Sequence, residues 1–236
     1  MWFASNAEMP DAPIPLEVDA VVLDCDGLLV ETESGWTRAE TAIFAEHGLG
    51  FGAAEKQLLI GRTLEAGGAA MAECFRKPGC GPALAERLAN LVWKELSAGA
   101  PALPGARDLV CGLRDRGIPF AVASNSPRRF VDAALRSAAL DGLCTVVITA
   151  DDVAQAKPAP DLYLRACADL SAGPAHSVAF EDSRTGAASA RAAGLFVVGV
   201  PSVPGGTLDA DALYESLADP GLQSWARACT TPARPA

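Results

Sequence analysis

Basic residues are scarce in this chain. Its 236 residues hold 19 Lys and Arg against 29 Asp and Glu, a formal net charge of −10, with only four lysines and two histidines. No Lys/Arg cluster occurs, so the electrostatic footprint of a nucleic-acid partner is missing. Small anions remain acceptable, because one or two local cations and a metal offset the field. Long apolar runs are absent as well. No stretch reaches the ~20 residues of a membrane span, and MWFASNAEMPDAPIP at the start has neither the basic region nor the apolar run of a signal peptide. Cysteines at metal-ligand spacing are also missing. Cys25, Cys74, Cys80, Cys111, Cys144, Cys167 and Cys229 are odd in number and read as free thiols of a reducing compartment. These absences describe a cytoplasmic protein with no nucleic-acid or membrane partner, a monomer or small homo-oligomer. Half of the residues are apolar (50%), enough for a real core.

Five short, valine-rich runs read as strands buried on both faces: Asp19–Asp24, Pro119–Ser124, Thr145–Thr149, Ser177–Glu181 and Leu195–Val200. Helical patterns over Ala106–Arg116, Pro127–Ala139, Pro158–Leu170 and Arg184–Ala193 separate the last four. Strands alternating with helices predict an α/β fold, a doubly wound, Rossmann-like parallel sheet. Between the first two strands the pattern changes. Residues 33–102 show only helical periodicity, over Ser34–His47, Thr63–Phe75 and Pro82–Leu96, and are too long for a simple crossover. They predict an inserted all-helical cap domain. The expected organisation is a catalytic core over 18–32 and 103–220, a cap over 33–102, and loose tails over 1–17 and 221–236.

Chemistry-bearing residues fall at the ends of these strands, where ligands bind in open α/β sheets. Asp24-Cys25-Asp26-Gly27 closes the first strand, and two carboxylates two residues apart leave a strand on one side. One suits a nucleophile toward phosphorus, the other a general acid and base; acids simply ending a strand in a turn are the plain alternative. Ser124-Asn125-Ser126-Pro127 closes the second strand. Ser126 and Pro127 read as N-cap and first residue of the next helix, leaving Ser124 and Asn125 as either a phosphate cradle or ordinary capping. Lys157 precedes Pro158, which biases it toward extended backbone; its ammonium is either free to reach a site or solvated. Glu181-Asp182-Ser183 closes the fourth strand, with Ser183 a good N-cap. Several carboxylates at one rim need a cation, and oxygen ligands without His or thiolate suit Mg²⁺. Each piece alone is weak; the four together, in this order, are specific.

DCDGLLVETE, LPGARDLVCGLRDRGIPFAVASNSPRR, KPAPDLYL and FEDSRTGAASARAAG resemble the haloacid dehalogenase-like hydrolases, over roughly residues 18–200. The closest branch is that of the phosphatases and β-phosphoglucomutases with a helical cap after the first strand. The resemblance implies a phosphatase acting on small phosphorylated metabolites such as sugar-phosphate monoesters. It implies Asp24 as nucleophile and Asp26 as acid/base with its carbonyl on Mg²⁺. Ser124 and Asn125 then bind phosphate, Lys157 bridges nucleophile and phosphate, Asp182 ligates the metal, and Glu181 reaches it through water. Asp26 favours phosphoryl transfer, since dehalogenase members usually lack that residue. Trp36 stands about where the mutase branch carries a hinge histidine, which weakens the rival reading as a sugar-phosphate mutase. A silent ligand-binding protein is the rival of another class. Leu59–Thr63 resembles the specificity loop and makes Arg62 a candidate substrate contact, against an ordinary loop arginine. Glu31, Thr32 and Glu33 either face the cleft or form a solvated acidic turn. His47 suits a helix C-terminus.

Overall fold

A computed structural model of the chain describes residues 13–202 and 208–232. Its sheet is six-stranded and parallel throughout, in the order β3-β2-β1-β4-β5-β6. The strands are β1 (Ala20–Leu23), β2 (Phe120–Ser124), β3 (Val147–Thr149), β4 (Ser177–Glu181), β5 (Phe196–Gly199) and β6 (Ala212–Leu213). Alternate residues of β1 enter opposite cores, as the two-residue period of a strand requires. Val21 and Leu23 pack with the cluster that includes Leu109, Phe130 and Trp225, whereas Val22 packs with Leu162, Tyr163, Ala187 and Ala190. The first cluster includes helices α5 (Ala106–Asp115), α6 (Arg128–Ser137) and α9 (Pro220–Ala228) and continues into the segment after β1; the second includes α7 (Asp161–Asp169) and α8 (Arg184–Ala192). Helices thus cover both faces, and the doubly wound sheet expected from the strand pattern is present.

Four helices lie between β1 and α5: α1 (Glu33–Glu46), α2 (Ala53–Leu59), α3 (Leu64–Cys74) and α4 (Gly81–Ala98). Ile43 and Phe44 of α1 are buried, and Phe44 meets Phe51 and Phe75 edge-on at 5.0 and 4.8 Å between ring centroids. His47 ends α1, with Nδ1 2.9 Å from the Ile43 carbonyl and its ring stacked on Phe75.

The reading of 221–236 as a tail is corrected. Residues 220–228 form α9, Asp219 caps it through hydrogen bonds from the N–H groups of Gly221 and Leu222, and Trp225 is buried. The 1–17 tail is corrected where it is described: Ile14 is buried, and Trp225 Nε1 donates to the Pro15 carbonyl at 2.8 Å. Residues 1–12 and 233–236 lie outside the described residues. Two helix starts also shift. Pro127, not Ser126, is the N-cap of α6, and the helix expected from Pro158 begins at Asp161. Prolines at 158 and 160 hold the intervening residues out of the helix, and Ser126 is drawn away by a side-chain bond described below. All seven cysteines are free. Among the described residues no helix is long and apolar enough to cross a membrane.

Candidate active site

Strand order reverses between β1 and β4, the crevice where such sheets bind ligands. Asp24 follows β1 directly, Ser124 ends β2, and Glu181 ends β4 with Asp182 next. Beyond Asp26 the chain folds back on itself: Leu29 and Val30 N–H groups donate to the Cys25 carbonyl and Gly27 N–H to that of Val30. Gly27 adopts φ +80°, and a β-carbon there would overlap Asp182 Oδ2. Only glycine meets both demands.

Lys157 is the hub. Its ammonium donates to Asp24 Oδ1 at 2.5 Å, Glu181 Oε1 at 2.6 Å and the Ala123 carbonyl at 2.7 Å, which uses all three N–H groups. Tyr163 OH also donates to Glu181 Oε1. Asn125 fixes the backbone beneath: its Oδ1 accepts from Lys157 N–H at 2.8 Å, and its Nδ2 donates to the carbonyls of Lys157 at 3.0 Å and Gly61 at 2.8 Å. The Asn125 side chain, expected at the phosphate, therefore holds Lys157 and touches the loop before α3. Glu181, expected on the metal through water, takes hydrogen bonds from Lys157 and Tyr163.

Asp26 is gripped by three hydroxyls. Thr32 Oγ1 donates to its Oδ1 at 2.8 Å, and Ser124 and Ser126 donate to Oδ2 at 2.9 and 2.8 Å. This is the bond that keeps Ser126 from capping α6. Ser183 does cap α8, accepting from Gly186 N–H at 3.1 Å. Glu31 caps Ser34, and Glu33 alone of the three hinge residues Glu31, Thr32 and Glu33 lines the cleft. Arg62 lies exposed at the cleft rim, its Nε donating to the Leu58 carbonyl at 2.5 Å.

Charge at the centre is unbalanced. Asp24, Glu181 and Asp182 each offer a carboxylate oxygen within 4.8 Å of the others, against the single Lys157 ammonium. Burial pushes the Asp24 carboxyl well up; Lys157 opposes this, while Glu181 and Asp26 add to it. Burial does the same to Asp182, with Asp24 and Glu181 adding. Burial alone would depress Lys157, but the carboxylates of Asp24 and Glu181 outweigh it and hold the lysine charged. Among the described residues Asp182 Oδ2 is buried without a hydrogen-bond partner. A buried carboxylate oxygen left so is costly, and a divalent ion answers it. All-oxygen donors suit a hard cation such as Mg²⁺, so the residues present fit the metal.

Three residues beyond the expected set shape this centre. Tyr163 orients Glu181, and Ser202 lies beside Asp182, its N–H 3.4 Å from that residue's carbonyl. Gly186 lies in the first turn of α8, where a β-carbon would overlap the Glu181 carboxylate. Glycine to alanine inside a helix ordinarily stabilises by about 1 kcal/mol. Gly186→Ala is instead expected to destabilise by about 1–3 kcal/mol through overpacking and to slow turnover by displacing Glu181. Urea unfolding checks this; a stabilised variant would show that the carboxylate moves freely aside.

Across the cleft, Lys56 of α2 bridges two acids of α1. Its Nζ lies 2.7 Å from Glu33 Oε2 and 3.1 Å from Glu40 Oε2. Burial lifts the Glu40 carboxyl from 4.5 to about 7, with Lys56 pulling down and Glu33 adding. The folded state keeps a proton that the unfolded chain releases above about 4.5. This contribution to stability is complete below that pH and is lost as the pH rises to about 7. From about pH 5 to about pH 8, Glu40→Gln is therefore expected to lose less stability than the parent. Denaturant midpoints across that range test it, and parallel curves would contradict it.

The haloacid dehalogenase-like hydrolase family model matches residues 18–194. Protein CbbY of Rhodobacter capsulatus is 37% identical over 198 residues, 79% of this chain and 87% of that protein. Validoxylamine A 7'-phosphate phosphatase of Streptomyces hygroscopicus subsp. limoneus is 31% identical over 195 residues, 83% of this chain and 89% of the other. The crystal structure of CbbY from Rhodobacter sphaeroides in complex with xylulose 1,5-bisphosphate superposes with a TM-score of 0.73 at 28% identity, covering 86% of this chain and 96% of that one. With β1, β2 and β4 delivering their acids and serine to one rim, the chain belongs to the haloacid dehalogenase-like hydrolases.

Proposed function

We propose that this chain is a Mg²⁺-dependent phosphatase of small phosphorylated metabolites, sugar-phosphate-like monoesters among them, acting through an aspartyl-phosphate on Asp24. The observation that carries the reading is the Lys157 ammonium, locked between Asp24 and Glu181 beside the unpartnered Asp182 oxygen. Asp24, Asp182 and the Asp26 carbonyl would hold the ion, which supplies positive charge that neither lysine nor hydroxyls provide. Asp24 attacks phosphorus with the oxygen that Lys157 keeps oriented. Asp26, held by Thr32, Ser124 and Ser126, gives its proton to the departing alcohol and then takes one from the water that cleaves the acyl phosphate. Ser124 and Lys157 share the charge of the equatorial oxygens, which is most of what a protein contributes to phosphoryl transfer. Arg62 sits where it can meet the leaving group as the cleft closes.

A phosphate-release screen over sugar, polyol and sugar-acid phosphates and phosphoglycolate, with Mg²⁺ and with chelator, tests the proposal. Release is expected only with the metal. With β-glucose 1-phosphate and a bisphosphate primer, free phosphate is expected rather than glucose 6-phosphate; formation of the latter would assign the mutase reaction instead. No release from any ester would end the reading.

A further inference from the structure

We propose, resting on the phosphatase reading, that the cleft takes an uncharged polyhydroxylated leaving group and rejects one bearing a second phosphate or a carboxylate. The recognition element is the Glu33–Lys56–Glu40 bridge on the wall facing Asp24.

All three side chains line the same cleft as Asp24, Asp26 and Asp182. They are largely withdrawn from water, at 21%, 13% and 3% exposure for Glu33, Lys56 and Glu40. Carboxylates only accept hydrogen bonds and an ammonium only donates. The lysine donates to Glu40 and pairs in charge with Glu33, so the wall offers acceptors and a donor in a fixed array. Sugar and polyol hydroxyls, each donor and acceptor, complement it. Trp36 lines the cleft beside them and packs on Phe130 at 6.4 Å between centroids, giving C–H groups an apolar face.

The charge count rules the other way for anions. Apart from the metal, whose charge would be taken up by Asp24, Asp182 and the reacting phosphoryl group, the cleft is lined by five carboxylates, Asp24, Asp26, Glu33, Glu40 and Asp182, against three cations, Lys56, Arg62 and Lys157. Lys157 is spent on the catalytic centre and Lys56 on its two acids. Arg62 is exposed at the rim with Nε tied to the Leu58 carbonyl, where water screens it. Among the described residues no withdrawn cation is left for a second anion, and a like charge placed beside buried carboxylates is strongly disfavoured.

Calorimetry at about pH 8, where Glu40 is ionised, with Asp24→Asn and Mg²⁺ tests this without turnover. The probes are glucitol 6-phosphate, fructose 1,6-bisphosphate and 3-phosphoglycerate. Glucitol 6-phosphate is expected to bind at least about 30-fold more tightly than either charged probe. Adding Glu40→Gln is expected to shrink that gap about tenfold or more, whereas a purely structural bridge would lower Tm and leave the gap intact. A charged probe binding as tightly, or a gap untouched by Glu40→Gln, overturns the proposal. Should that variant not fold, parent kcat/KM on the three probes decides by the same ratios. Failure to bind any ester, or inorganic phosphate itself, would overturn the phosphatase reading as well, and so is distinguishable from a reversed preference.

Discussion

Asp24→Asn is expected to abolish phosphate release, by a factor on the order of 10⁴ to 10⁶, as removal of a covalent nucleophile does elsewhere. The fold is expected to survive. The amide is isosteric with the carboxylate, and Lys157 keeps its bonds to the Ala123 carbonyl and Glu181. Metal-free stability is expected to rise, because burial disfavours the charge on Asp24 and the amide carries none. Phosphate release and thermal unfolding of the metal-free protein check the two halves separately. Parent-level turnover by Asp24→Asn would refute the aspartyl-phosphate route.

Lys157→Met carries the second large effect. Methionine fills a similar volume, but three neighbouring carboxylates lose their only ammonium. Removing one partner of a buried ion pair costs about 3–5 kcal/mol, and Lys157 is 6% exposed, so little solvent screening softens the loss. Turnover is expected to fall by about 10²–10³-fold, the effect of deleting one charge-stabilising donor at a reacting oxygen. Saturating Mg²⁺ is expected to restore part of the stability without restoring the rate, since a metal offsets the carboxylates but does not orient the Asp24 oxygen. Unfolding in Mg²⁺ and in chelator, beside kcat, reads this. A variant as stable as the parent in chelator would mean that the carboxylates are neutral there and the lysine is dispensable.

The first five strands were legible because each is a short apolar run with both faces buried; DxDG, SN and ED mark the ends of β1, β2 and β4, and KP lies in the loop between β3 and α7. Their joint order pointed to one rim of the sheet, where Asp24, Lys157, Glu181 and Asp182 come together. What escaped notice depended on partners distant in sequence. Helix α9 has few apolar anchors in an Ala-, Pro- and Thr-rich stretch; its burial comes from packing on α5 rather than from its own periodicity. Helix α2 is only seven residues long and β6 two. Lys56 and Glu40 lie sixteen residues apart, on helices whose packing no local pattern announces. Ser126 looked like a cap because its spacing to the helix was right, yet its hydroxyl serves Asp26, a residue one hundred positions earlier. Asn125 and Glu181 stood in the expected places with duties turned inward, toward the lysine.

Asn125 links two events that a reader of the sequence would treat separately. One amide nitrogen grips both the Lys157 carbonyl and the Gly61 carbonyl on the helical insertion. Outward movement of the insertion would break the second bond, while Asn125 would keep its two bonds to the Lys157 backbone. Enclosing a guest would then complete the bracing of the segment that bears the lysine.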